Sequence, residues 1–334
     1  MARPRHWIGA HRKTAAAAAA AAALAIVGLF LASGGGSAPP RPTPSSVPSS
    51  TAELRSPFTG EPVSRLRPVL AVKIDNLVDA RPQTGLTGAD IVYVLPVEGG
   101  LSRFMAVFSS RMPAVIGPVR SARLEDLQIL RQFGRPAFAY SGAAPAVLPV
   151  VERSRIVDLY DGRARGYFRD ERRIAPHNLY ARTSQLLAQA RGASSAHSIG
   201  FTFGPPPAGG EAVAAEQFSY AAASFRFTWS AARDRWLVWL DGSRAASTED
   251  GQLSAATVVI QYTNVQIPGA VGPHAPTPYA RSIGSGRALV LRDGRAFRAR
   301  WARPTADGGT IFRTAFGQPM PFARGPVWVV LIAG

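Results

Sequence analysis

The apolar positions fall into three regimes. Ala15 to Ala32 is apolar without interruption and carries no charge. At about 1.5 Å per residue these positions extend about 27 Å as a helix, enough to cross a hydrocarbon core. Arg3, Arg5, Arg12 and Lys13 precede the run. A cationic flank stays on the cytoplasmic side, so the chain beyond is expected outside. A cleaved signal peptide is the alternative, because the run opens with consecutive alanines and small residues follow at Ser33 to Ser37. Either reading exports the remainder. Residues 33–56 are rich in Gly, Pro and Ser and read as a spacer.

Residues 57–191 alternate strand-like and helix-like segments. Arg67–Asp75, Ala89–Val97, Leu101–Ser109, Ala114–Val119 and Pro136–Tyr140 read as strands. Ser121 can cap a helix over Leu124–Phe133, with Glu125 and Asp126 favouring its dipole. A second helix is expected after Gly142 and a third from Thr183 or Ser184. This is an α/β pattern. Residues 192–216, with Pro205 to Pro207 and Gly209-Gly210, read as a linker. In residues 217–334 the period is that of strands alone: Phe225–Trp229, Trp236–Leu240, Thr257–Tyr262, Ala288–Arg292, Ala296–Trp301 and Val327–Ile332. Asp241-Gly242, Asp293-Gly294 and Asp307-Gly308 supply turn signals. A mainly antiparallel β domain, as a small barrel or sandwich, is expected.

Charge changes the picture less than its size suggests. The chain has 334 residues, 38 basic and 21 acidic, for a net charge of +17. Lys13 and Lys73 are its only lysines, and its arginines are interspersed with acids rather than blocked. A diffuse basic surface, suited to anionic lipids or wall polymers, is expected rather than a nucleic-acid site. The chain has no cysteine, which excludes disulfides, thiolate catalysis and thiolate metal sites. No cofactor motif is present.

The runs Ala71–Asn76 (AVKIDN), Ala80–Gly85 (ARPQTG), Ala89–Tyr93 (ADIVY), Val97–Phe104 (VEGGLSRF), Gly117–Arg123 (GPVRSAR) and Ala175–Tyr180 (APHNLY) resemble the YerB-like family of bacterial envelope lipoproteins. Gly284–Leu291 (GSGRALVL) and Val327–Ile332 extend the resemblance to the far end. It implies a two-domain extracytoplasmic module of unknown biochemical activity. The sequence departs from the family in lacking a lipid-attachment cysteine, with Ser33 and glycines in that region. It also has Val94 where members carry an acid after the ADIVY tyrosine.

Candidate chemistry centres on Arg120-Ser121-Ala122-Arg123 at a strand-to-helix junction, where ligands of α/β sheets tend to bind. With Arg103, Arg81, Asn76 and Asn178 these form a candidate anion pocket for a phosphate or carboxylate. The bland reading is that the arginines pair with Asp75, Asp90 and Glu98 to lock loops together. Glu98 with His177 is a weak acid–base candidate, with Asp75 a further candidate base. Asp75, Asn76, Asp90 and Glu98 have donor oxygens for a cation but lack a spaced loop, so no metal is expected. Trp229, Trp236, Trp239 and Trp301 are a sugar-stacking face or core. The leading expectation is a membrane-tethered envelope module that binds an anionic wall-related ligand or a wall-synthesis protein. An envelope enzyme acting on a phosphorylated or glycosidic substrate, and a protein scaffold, are the alternatives.

Overall fold

The β-branched runs of the sequence become one large sheet that takes strands from both halves of the chain. The computed structural model describes residues 53–249, 251–267 and 277–334. The Ala15–Ala32 anchor and the 33–52 part of the spacer lie outside them. Among the described residues no helix is long and apolar enough to cross a membrane.

The sheet has eleven strands. From one edge the order is Ile311–Thr314, Arg295–Arg303, Gly284–Arg292, Thr257–Thr263 and Val327–Ala333. It continues through Ile91–Pro96, Ser102–Phe108, Leu70–Asp75, Ala137–Tyr140 and Val157–Tyr160, with Glu211–Ala212 alongside Arg295–Arg303. Val327–Ala333 lies parallel to both Thr257–Thr263 and Ile91–Pro96. Leu70–Asp75 lies parallel to Ala137–Tyr140, which in turn is parallel to Val157–Tyr160. Ser102–Phe108 runs antiparallel between Leu70–Asp75 and Ile91–Pro96. The sheet is therefore mixed where the amino-terminal strands lie.

The strands read as almost continuously apolar because both faces are covered. Alternation sends Tyr93, Leu95, Met105 and Val329 to one face, against Leu127, Ile129 and Leu130 of the Leu124–Leu130 helix. Val92, Phe104, Trp328 and Val330 face the other way. They meet Phe225, Phe227, Trp236, Val238 and Leu240 of a five-stranded antiparallel sheet. The layers are helix, mixed sheet and antiparallel sheet.

The carboxy-terminal segment differs from the expected separate barrel or sandwich. Some of its strands build the antiparallel sheet, and the others extend the amino-terminal sheet. Val327–Ala333 has both faces apolar, so it needs cover on each side and takes an interior place. The 192–216 stretch is packed: Ile199 and Phe201 are buried in the core. The turn signals hold at Asp241 and Asp293, which adopt the left-handed conformation that the tight hairpins require.

Candidate functional site

Four charged side chains of this fold point from the sheet or its edge into a place where apolar residues would be expected, and each must find a partner or bear the cost of burial. Lys73 shares a strand face with Ala71 and is fully buried. Its Nζ donates to Asp126 Oδ1 at 2.7 Å. Asp126 Oδ2 accepts the Arg123 N–H at 2.7 Å, closing the first turn of the helix. The capping position is thus Arg123 rather than Ser121, and the α-helix spans Leu124–Leu130 with a 3₁₀ turn over Arg131–Phe133.

Asp75 ends its strand and is completely buried. Its Oδ2 lies 3.0 Å from Arg120 Nε and 2.7 Å from His177 Nδ1. Arg120 is brought there because the backbone from Pro118 folds back along the strand: Asp75 N–H donates to the Pro118 carbonyl and Arg120 N–H to the Lys73 carbonyl. Glu98 follows the carboxyl end of Ile91–Pro96 and forms a two-pronged pair with Arg123, at 2.7 and 2.8 Å. The Thr277 hydroxyl donates to the same carboxylate. Burial pushes the Glu98 pKa up, but the bonds from Arg123 and Thr277 outweigh it and bring the group down to about 2.

Arg103 stands between these pairs. It lies opposite Asp75 in the antiparallel register, yet the Asp75 carboxylate is taken by Arg120 and His177. Arg103 is 7% exposed, and its Nε and Nη1 have no hydrogen-bond partner among the described residues. Burial, then the charges of Arg123 and Arg120, lower its pKa to about 10. Three guanidinium groups therefore share two carboxylates at the ends of parallel strands.

The other sequence candidates are placed as follows. Asn76 is a loop clamp: Nδ2 donates to Ser102 Oγ, and Oδ1 accepts from Gln83 and Arg81. Arg81 continues to Asp241 at 2.8 Å, fastening the loop to a hairpin of the antiparallel sheet. Asn178 accepts from Arg169. Ser121 contributes its carbonyl to Arg123. These groups hold loops in place around the three arginines.

Two sequence pairings are corrected. His177 bonds Asp75 and Glu98 bonds Arg123, so a Glu98–His177 pair does not form. Asp90 belongs to the far end of its strand, where it accepts the N–H groups of Ser109 and Ser110 at 2.6 and 2.8 Å. Its burial raises its pKa to about 6. The four proposed cation donors are thus not assembled, and no cluster with metal-ligand character occurs among the described residues. The tryptophans do not form one face: Trp229 and Trp236 pack together with ring centroids 5.3 Å apart, while Trp301 is buried in the cluster on the other face of the mixed sheet.

Sequence reasoning passed over the buried set Lys73, Glu125 and Asp126. Its signal was Lys73 as the lone lysine of the folded body, inside an apolar strand. Glu125 is fully buried with both carboxyl oxygens unpartnered among the described residues, and burial raises its pKa to about 8.

Known proteins share this fold. Residues 58–196 match the model of the N-terminal domain, and residues 215–329 that of the C-terminal domain, of a protein family of unknown function (DUF3048). Over 143 residues, 40% of this chain, the sequence is 36% identical to "Putative lipoprotein YerB" of Bacillus subtilis (strain 168). The alignment spans 42% of that relative. The crystal structure of the Bacillus subtilis YerB protein superposes with a TM-score of 0.72 at 21% identity, covering 84% of this chain and 97% of the other, which shows a common fold. The chain belongs to this two-domain, YerB-like family.

Proposed function

We propose that the chain is a membrane-tethered envelope module that binds a phosphate- or carboxylate-bearing ligand between Arg103, Arg120 and Arg123. The observation that carries the reading is the Arg103 guanidinium, buried with two nitrogen atoms unpartnered among the described residues and flanked by two further cations. Three guanidinium groups against two carboxylates leave one positive charge in excess, and an incoming oxyanion would offset it. The paired arginines serve as the rim and Arg103 as the receptor. The sequence expectations of an Ala15–Ala32 anchor and a 33–56 spacer support placement of the body outside the membrane, and the lipoprotein name of the Bacillus subtilis relative agrees with an envelope location. A wall precursor, a wall polymer or an acidic group of a wall-synthesis protein supplies the required chemistry.

Titration calorimetry of the full chain in a non-ionic detergent, with inorganic phosphate and pyrophosphate, tests this. Saturable heat is expected in the wild type and its loss in Arg103→Met. Equal binding in the variant would refute the assignment.

One observation favours a second reading. The Asp75–His177 contact of 2.7 Å beside the arginines has the form of an oriented general base. An enzyme acting on a phosphorylated or glycosidic substrate would use Asp75 to orient His177 and the arginines to hold charge. Release of phosphate from an envelope substrate by the wild type, and its loss in His177→Gln with phosphate binding retained, would select that reading.

A further inference from the structure

A second concavity lies on the helix side of the mixed sheet. It is an open groove of about 1010 Å³ between the Leu124–Leu130 helix, the Leu148–Glu152 helix and the segment around Tyr279. Ligand pockets commonly have about 300–1,000 Å³, so this one has room for a sizeable small molecule. Leu124, Leu127, Leu130, Val147, Val150 and Ile156 supply its walls. Leu124 and Val150, on the two different helices, are 40% and 37% exposed. Large apolar side chains left in water on both banks of one groove mark an unfilled surface.

Charge is segregated within it. Arg131, Arg153 and Arg155 belong to the lining. Arg131 is engaged by Asp307 at 3.0 Å. Arg153 and Arg155 are exposed and form no ion pair among the described residues. The one acid of the lining is Glu125, fully buried at the start of the helix. Burial holds it protonated at neutral pH, so it places no negative charge against an apolar occupant.

We propose that this groove receives a single-chain anionic amphiphile, with its acyl or prenyl chain along the Leu124–Val150 walls and its phosphate or carboxylate head at Arg153 and Arg155. Charge complementarity selects an acidic head. The aliphatic walls offer a hydrocarbon chain apolar contact along its length, whereas a bound peptide would have to bury its amides against them. The inference rests on the groove alone and does not depend on anion binding at Arg103.

The test uses the full chain in phosphatidylcholine nanodiscs, with diazirine-bearing dodecyl phosphate as photoprobe and the corresponding dodecanol as control. Labelled peptides are mapped by mass spectrometry. Dodecyl phosphate is expected to label the 124–131 and 147–156 stretches. Leu124→Asp with Val150→Asp should cut labelling at least tenfold, as should Ala146→Trp, which fills the exposed bank. Arg153→Ala with Arg155→Ala should cut phosphate labelling about tenfold and leave the weaker alcohol labelling unchanged. Arg103→Met should label like the wild type, so the failure of either site is visible separately. Labelling that ignores the groove substitutions, equal labelling by the alcohol, displacement at lower concentration by an acidic amphipathic peptide, or crosslinks joining two copies through these helices would each overturn the proposal.

Discussion

Replacing Arg103 by Met should make the protein more stable while removing the proposed anion affinity. Met keeps the length and apolar volume of the side chain and discards a charge that has no partner among the described residues. The depression of the Arg103 pKa from the ordinary guanidinium value to about 10 indicates how strongly the folded state resists that charge. At 1.36 kcal/mol per unit this corresponds to about 3 kcal/mol. The sign follows from linkage: the folded pKa lies below the unfolded one, so the penalty is in full force below pH 10 and disappears only above the ordinary guanidinium value. At pH 7 the variant escapes all of it. Urea unfolding of the full chain, followed by tryptophan fluorescence, should show a gain of about 3 kcal/mol, or roughly 5 °C in Tm. Saturating pyrophosphate should stabilise the wild type and not the variant, narrowing the gap between them. The reasoning fails if Arg103→Met loses stability without ligand, because Arg103 would then be a structural partner rather than a waiting receptor.

Three further outcomes follow from the buried charges. Lys73→Met leaves Asp126 without its buried cation and should cost about 3–5 kcal/mol in urea unfolding, while Lys73→Met combined with Asp126→Asn should recover part of the loss. Glu98 has a depressed folded pKa of about 2, so its stabilisation is present above pH 4.5 and lost as pH falls through 2; Glu98→Gln should unfold with a flatter acid limb over that window. Glu125 has a raised folded pKa of about 8, so the stability it confers is full below pH 4.5 and is lost as pH rises through 8. Thermal unfolding across pH 5–9 should therefore show Glu125→Gln gaining on the wild type as pH rises. Lys73, Asp126 and Arg123 face the same carboxyl group and are unchanged in that comparison.

The strands were legible because both faces of the mixed sheet are covered, which leaves β-branched runs such as Leu70–Asp75 and Val327–Ala333 without polar interruption. The same coverage hid the topology. An interior strand bears no mark of which neighbours it takes, so the insertion of Val327–Ala333 beside Ile91–Pro96 could not be read from its composition. At the site, the arginines of GPVRSAR were legible because their place before a helix is local. The reading that set the arginines against Asp75, Asp90 and Glu98 found two of the partners, Asp75 for Arg120 and Glu98 for Arg123; it missed that Asp90 stays apart and that His177 joins Asp75 rather than Glu98, because both depend on loop packing across long stretches of chain. Glu125 and Asp126 read as ordinary first-turn acids, since sequence does not reveal that this helix start is buried against Lys73. The groove escaped because it forms between helices separated by a strand.

The central proposal is that Arg103 receives an oxyanion. A crystal of the full chain grown in detergent and soaked in tungstate, with anomalous data collected, tests it most directly. The account predicts a tungstate peak within hydrogen-bond distance of Arg103 Nη1 and Arg120. Ordered density for Arg103 bonded to a group of its own chain, with no anomalous peak beside it, would contradict the account.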